Sequence, residues 1–293
     1  MKQLLFSFFL LLITTQSYAQ EEVFNFPAID TTRFVCQYDY TYPSPYTDTQ
    51  TIDMRLEIGL HLSKFYSYGT LKYFLMQTTP EGKAKLKEMT QDVFNRSAKA
   101  TNVLERARIM NQLPGREEDI IIYKNYPKDS LYIQDSASGT EFMYYTEPYL
   151  GQNWEIQTDT LTILGFHCQK ATCTWRGRDY EAWFTAEIPT NDGPMKFSGL
   201  PGLIVKVTDT DQDYRLELKG IENIKKPIYF NNKTFLKNSP DFLPITRKEL
   251  LKRKQKTFQS QVRMLKRTLK SIGKSTDDIN EDKYNCLEKD YNQ

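Results

Sequence analysis

The sequence predicts an α+β fold that is mainly antiparallel β, and three observations carry that expectation. Short segments of alternating apolar and polar residues recur along the chain, separated by turn signals at a spacing of roughly 8–12 residues, as in a meandering sheet. Apolar content is 39%, yet 19 tyrosines are present, and tyrosine is tolerated on both faces of half-solvated strands. Helical periodicity, in contrast, is confined to two stretches, 81–108 and 246–270. A meandering sheet with one helical segment packed on it and a basic C-terminal helix is the expected architecture.

Residues 1–19 read as an export signal. Lys2 supplies the positive start, 4–13 is an apolar run, and Ser17-Tyr18-Ala19 is a small-x-small cleavage site. A membrane-spanning helix needs about 20 apolar residues, which this run lacks. Cleavage after Ala19 would leave Gln20 first, not cysteine, so a lipoprotein anchor is not expected. The expected localisation is therefore periplasmic or secreted. No linker rich in Pro, Gly or Ser divides the rest, so 20–245 is expected as one β-rich domain, followed by a helix (246–272) and a loose polar tail (273–293).

Each strand has a pattern behind it. In 33–42, Phe34, Cys36, Tyr38 and Tyr40 alternate with polar positions, and 51–59 repeats this with Ile52, Met54, Leu56 and Ile58. A short strand at 64–68 follows, and then one helix over 81–108 from the spacing of Leu86, Met89, Val93 and Phe94. Further strands are expected at 119–125, 130–134, 141–147, 153–157, 160–166, 168–175, 178–186, 203–209 and 214–222.

The densest punctuation lies in 168–209. Gly193-Pro194 is followed by Gly199, Leu200, Pro201, Gly202, Leu203 and Ile204. Leu200-Pro201-Gly202-Leu203 has proline second and glycine third, which predicts a type II β-turn between two strands. Trp183, Leu200 and Leu203 are the candidate contact residues of a binding surface, with burial in the core as the competing reading.

Gly199-Leu-Pro-Gly-Leu-Ile204 resembles the signature of the GLPGLI family of exported bacterial proteins. The lead-in is similar to that family as well: Cys168-Gln-Lys-Ala171-Thr172, Gly177-Arg178-x-Tyr180-x-Ala182-Trp183, Ile188-Pro189 and Gly193-Pro194-x-Lys196-Phe197. The resemblance extends loosely over 30–230 and is specific in 163–209. It implies export and a β-rich fold, and it implies no reaction, since the family has no established general activity. Members of the family also resemble an accessory part of a glycan-releasing enzyme.

Four cysteines in an exported chain favour disulfides. Cys168 and Cys173 lie five residues apart, about 16 Å if extended, so each is expected to pair elsewhere, with Cys36 and Cys286. The alternative, a metal held by His167, Cys168 and Cys173, lacks a fourth ligand. No cofactor and no metal is expected. Strings for a nucleophile elbow, a zinc protease helix or a phosphate-binding loop do not occur. Ser198 is the one suggestive hydroxyl, and local turn bonding accounts for it. Asp209, Asp211 and Asp213 could offer oxygen ligands to Ca²⁺, but the rest of an EF-hand loop is missing, and a solvated hairpin tip is the simpler reading. Glu117-Glu118-Asp119 reads as an acidic turn.

The stretch 246–270 has Thr246 as N-cap, Glu249 at the capping-box position, and an apolar stripe of Leu251, Phe258, Val262, Leu265 and Leu269. Ten Lys or Arg and one Glu fall in 247–270, while the rest of the mature chain is net acidic. The favoured reading docks this helix on the acidic β body. Its alternative is contact with an anionic membrane surface. Nucleic acid is not an expected partner, and no transmembrane segment is expected in the mature chain. The functional expectation is a non-catalytic binding or assembly module of the cell envelope, with an unknown envelope protein or an apolar ligand as partner. The competing expectation is an accessory or catalytic protein of glycan or peptide processing, which a polar pocket with paired carboxylates would favour.

Overall fold

The computed structural model describes residues 25–44, 49–110, 112–233, 241–271, 273, 275–276 and 287–290. The expected export signal and Cys286 lie outside these residues.

One open sheet organises the molecule. Its strands in chain order are β1 (Ala28–Pro43), β2 (Thr49–Gly59), β3 (Ser63–Ser67), β4 (Ile121–Lys124), β5 (Ser130–Ser136), β6 (Phe142–Pro148), β7 (Glu155–Ile163), β8 (Phe166–Trp175), β9 (Arg178–Thr185), β10 (Leu203–Asp209), β11 (Arg215–Glu222), β12 (Pro227–Tyr229) and β13 (Leu243–Pro244). They lie in the order β13-β6-β5-β4-β3-β2-β1-β11-β10-β9-β8-β7, with β12 pairing β1 off this path. All pairings are antiparallel except β13 on β6. The α+β, mainly β reading of the sequence describes this architecture.

The long strands form where alternation is cleanest. On β1, Cys36, Tyr38 and Tyr40 are buried while Gln37 and Asp39 are not, and on β2, Ile52, Met54 and Leu56 match them across the ladder. A one-residue slip would expose this whole set, so the pattern fixes the register. A single apolar core draws on β5 and β6 at one end and on β8 and β9 at the other. The sheet therefore bends so that one face surrounds that core.

Among the described residues there are four helices: α1 (Tyr68–Met76), α2 (Pro80–Ala98), α3 (Val103–Met110) and α4 (Arg247–Ser271). The helix α1 is absent from the sequence expectations. It is capped by Ser67, whose side chain accepts from the Thr70 amide, and its Leu71 and Leu75 pack with Tyr66, Ile121 and Tyr123 in a second, smaller core. The single helix expected over 81–108 is two. Asn102 accepts from the Glu105 amide at 2.9 Å and starts α3 afresh. For α4 the expected cap is present: Thr246 Oγ1 accepts from the Glu249 amide at 3.2 Å. The Glu249 carboxylate turns to Arg253 four residues on, at 2.7 Å.

The three described cysteines are free, buried thiols, which corrects the expected pairing of Cys36 with β8. Three strands intervene between β1 and β8, about 19 Å along the sheet, far beyond the 4.4–6.8 Å a disulfide spans. Burial, followed by the charge of Asp179, pushes the Cys173 thiol up to about 12. The described end of the tail is not loose either. Leu287 accepts from the Tyr180 hydroxyl through its carbonyl, and the Lys289 amide donates to Arg176 O at 2.8 Å.

Candidate functional site

The segment 186–202 joins β9 to β10 and holds most of the motif residues. It is a buried loop: seven consecutive residues, Asp192 through Ser198, are shielded from solvent. A buried loop must find partners for its own backbone, and here they are supplied from several directions. Leu203 and Ile204 amides donate to Ile188 O and Asp192 O at 3.1 and 2.9 Å. The Gln152 side chain bridges the loop, its Nε2 donating to Lys196 O at 3.2 Å and its Oε1 accepting from the Ser198 amide at 3.0 Å. Trp154 Nε1 donates to Ser198 O at 2.9 Å.

The expected type II turn is replaced by a tighter one. The Gly202 amide donates to Leu200 O at 2.8 Å, the three-residue pattern of a γ-turn centred on Pro201. The Leu203 amide, which a type II turn would use, is already spent on Ile188. Gly202 is required by close approach, because a Cβ there would lie 2.1 Å from Thr185 O. Gly193 is constrained in the same way against the Ile204 side chain, at 2.7 Å.

Two buried lysines fix this loop. Lys124, at the end of β4, places Nζ 2.6 Å from Asp192 Oδ1 and 3.1 Å from Phe197 O, and it also donates to Gly193 O. Ser63 donates to the other Asp192 oxygen at 2.5 Å. Burial holds the Lys124 ammonium below its usual range, with Asp192 opposing that effect. Lys196, from the loop itself, reaches the other way, to Tyr145 OH at 2.8 Å, Glu147 at 3.1 Å and Glu288 at 2.5 Å. Burial works against its charge, but Glu288, Tyr145 and Glu147 more than offset it and hold the ammonium above the usual range.

Lys196 and Glu288 form one end of a cleft of about 680 Å³ between the sheet face, the loop and α4. The opposite end is acidic. Glu117, Glu118 and Asp119 enter from the segment before β4, and Asp135 from β5. Lys254 of α4 bridges to Asp135 at 2.5 Å and lies 4.0 Å from Glu118. Arg116 sits 3.3 Å from Asp119. Burial raises Glu118 above the carboxylate range despite Lys254, and it pushes Asp119 up to about 6 against the pull of Arg116. Tyr40, Tyr42 and Tyr214 line the wall between, with ring centroids 4.8 and 6.2 Å apart in stacked pairs. The concavity thus has five carboxylates and three cations on its walls, a lining that differs from what an apolar ligand, one of the partners expected from the sequence, would call for.

The residues singled out from sequence fall in different places. Leu200 and Leu203 are in the core, 1% and 0% exposed, and do not line the cleft. Trp183 is half-buried on β9 and donates to Glu181 at 2.8 Å. Ser198 is buried under Trp154. His61 and His167 are exposed and far apart in the fold, one following β2 and the other on β8. Asp209, Asp211 and Asp213 do converge, but Arg178 lies 2.5, 3.5 and 3.3 Å from them, where a cation would sit, and Asp209 is buried. Sequence reasoning missed Lys124, Lys196 and the inward role of 117–119. A lysine closing the apolar run Ile-Ile-Tyr-Lys and another between Met195 and Phe197 were the available signals.

This fold and site define a β-rich protein whose motif loop is sealed beneath a charged cleft. Comparison with known proteins agrees in placing the recognisable part at the loop. A family described as "Protein of unknown function (Porph_ging)" matches residues 176–206, which span β9, the loop and the start of β10. No curated protein matches the chain. Among solved structures, the chain is similar to "Structure of PNGF-II in C2 space group" at 12% identity with a TM-score of 0.47, covering 78% of this chain and 34% of that one. "Structure of PNGF-II in P21 space group" is similar at 11% identity and a TM-score of 0.45, with the same coverage. The chain spans about a third of the length of those proteins. Among the described residues, no helix is long and apolar enough to cross a membrane.

Proposed function

We propose that this is an exported, non-catalytic binding module whose cleft holds an extended polypeptide segment of mixed charge. The observation that supports this most is the cleft's charge pattern: Glu117, Glu118, Asp119 and Asp135 outnumber Arg116 and Lys254 at one end, and at the other Lys196 is paired with Glu288 of the tail. A tyrosine-lined wall joins the two. An apolar ligand would have to desolvate five carboxylates, at a cost of several kcal/mol for each that loses its partner. A peptide, in contrast, can offer cations to one end, carboxylates to the other and apolar contact to the rings. The basic helix α4 serves this reading as a wall: Leu250 enters the core, and Lys254, Arg253 and Arg247 all engage carboxylates outside α4.

Isothermal titration of the mature protein with pooled lysine-containing peptides is the test. Micromolar binding that weakens on Asp135→Asn would support the reading. Binding of fatty acids or detergents in place of peptides would overturn it. The carboxylate-lined cleft is also what the processing expectation called for, and with the elevated Asp119 beside an ion-paired Asp135 it favours a second reading, hydrolysis of glycan or peptide with Asp119 as acid. Turnover of such a substrate that is lost in Asp119→Asn would favour that reading over pure binding.

A further inference from the structure

The cationic end of the cleft is built for an anion that the chain itself supplies. Lys196 comes from the motif loop, Arg176 from the β8–β9 turn and Arg247 from the first turn of α4. All three converge on Glu288, with Lys196 at 2.5 Å from Oε1 and both arginines at 2.5 Å from Oε2. Arg247 also grips Asp290 with both Nη atoms, each at 2.8 Å, a bidentate fork. The two residues between and before add backbone bonds: Leu287 O accepts from the Tyr180 hydroxyl, and the Lys289 amide donates to Arg176 O.

Much of this receptor is held without the tail. Glu147 pairs with Arg176 at 2.9 Å and with Lys196 at 3.1 Å, and Tyr145 holds Lys196 at 2.8 Å. The Arg176 guanidinium lies 4.7 Å from the Trp175 ring centroid. With Glu288 and Asp290 withdrawn, three cations would face Glu147 alone, a net of two positive charges at this end of the cleft. Such a place demands an anion. Because Lys196 and Glu288 both line the cleft, the anion site opens into it.

We infer that this cluster is a recognition site for an acidic Glu-x-Asp peptide segment, filled in cis by residues 287–290 and open to the same segment from a partner protein. This rests on the peptide-binding reading and specifies the cationic end of that cleft. The tail acts as a tethered competitor. Between the end of α4 and Leu287 the sequence has 15 residues, so the segment competes as an intramolecular ligand, at an effective concentration that a partner has to exceed.

The probe is the acetylated, amidated peptide Leu-Glu-Lys-Asp, matching residues 287–290. Full-length protein with Glu288→Gln and Asp290→Asn is expected to bind it at least tenfold more tightly than wild type, and a peptide with glutamine in place of its glutamate is expected not to bind. In the unaltered full-length protein, millimolar peptide should speed hydrogen exchange at the Lys289 amide by the factor with which it displaces the tail. This second readout holds even if the double variant does not fold. No binding by the folded variant, or unchanged exchange at Lys289 with 10 mM peptide, would overturn the inference. If cationic peptides still bind in that case, the acidic end and the general reading stand, and only the assignment of this end fails.

Discussion

Lys124 and Lys196 anchor the same loop, 186–202, and both are almost wholly shielded from water. Lys124 reaches it from β4 and spends its ammonium on Asp192 and two carbonyls of the loop, with Ser63 completing the set. Every partner belongs to the folded body, and none of them lines the cleft. Lys196 leaves the loop and meets Glu147 from the body but Glu288 from the far end of the chain, at the rim of a cleft. One buried charge is a staple, and the other is a port whose counter-ion can be exchanged. Burial alone does not distinguish them; the origin of the partners does.

Substitutions should separate the two in order of effect. Lys124→Met leaves Asp192 buried without its cation, and breaking a buried pair in this way costs about 3–5 kcal/mol. Urea unfolding should show that loss, with the midpoint shifted and the slope unchanged. Gly202→Ala drives a Cβ into Thr185 O and should cost about 1–3 kcal/mol by overpacking. Ala at exposed Gly165, where nothing lies within 4 Å of the added Cβ, is the control for chain entropy and for its own positive φ.

The port has a pH signature. Burial would raise the Glu288 carboxyl, but Lys196, Arg176 and Arg247 outweigh it and hold the pKa down to about 2, below the usual carboxylate range. A carboxyl depressed in the folded state stabilises when ionised. That contribution, of order 2–3 kcal/mol, is complete above the ordinary value of about 4.3 and is lost as pH falls from there through 2. Glu288→Gln should therefore flatten the acid limb of a stability–pH curve over that window and change the curve's shape little above pH 5. The smallest effect is expected at the opposite end of the cleft. Asp119, raised to about 6, penalises the folded state once it ionises, so Asp119→Asn should gain about 2 kcal/mol at pH 8 relative to pH 4. Thermal melts at the two pH values read this difference.

The contrast also explains what was legible in the chain. Strands such as β1, β2 and β8 to β11 were readable because each buries one face, which imposes period two. The β7 strand read as two because a register shift between Ile156 and Thr160 breaks its alternation. The helix α1 was missed because Tyr68-Gly-Thr-Leu-Lys-Tyr-Phe-Leu-Met is rich in residues that favour strands, and tertiary packing on Ile121 and Tyr123 overrides that preference. The γ-turn could not be told from a type II turn, since both accept Pro-Gly and the choice was made by Ile188 O. The cleft was not legible at all: Glu118, Asp135, Lys196, Lys254 and Glu288 are brought together only by the bending of the sheet and the return of the tail.

The measurement that bears most directly on the cleft is native mass spectrometry of the protein purified from its own source, followed by denaturation and analysis of what is released. A peptide or polypeptide segment bound one to one, and lost when Asp135 and Lys196 are both substituted, is the predicted result. A released lipid or other apolar molecule would contradict the account, because it would mean that the charged walls do not choose the ligand.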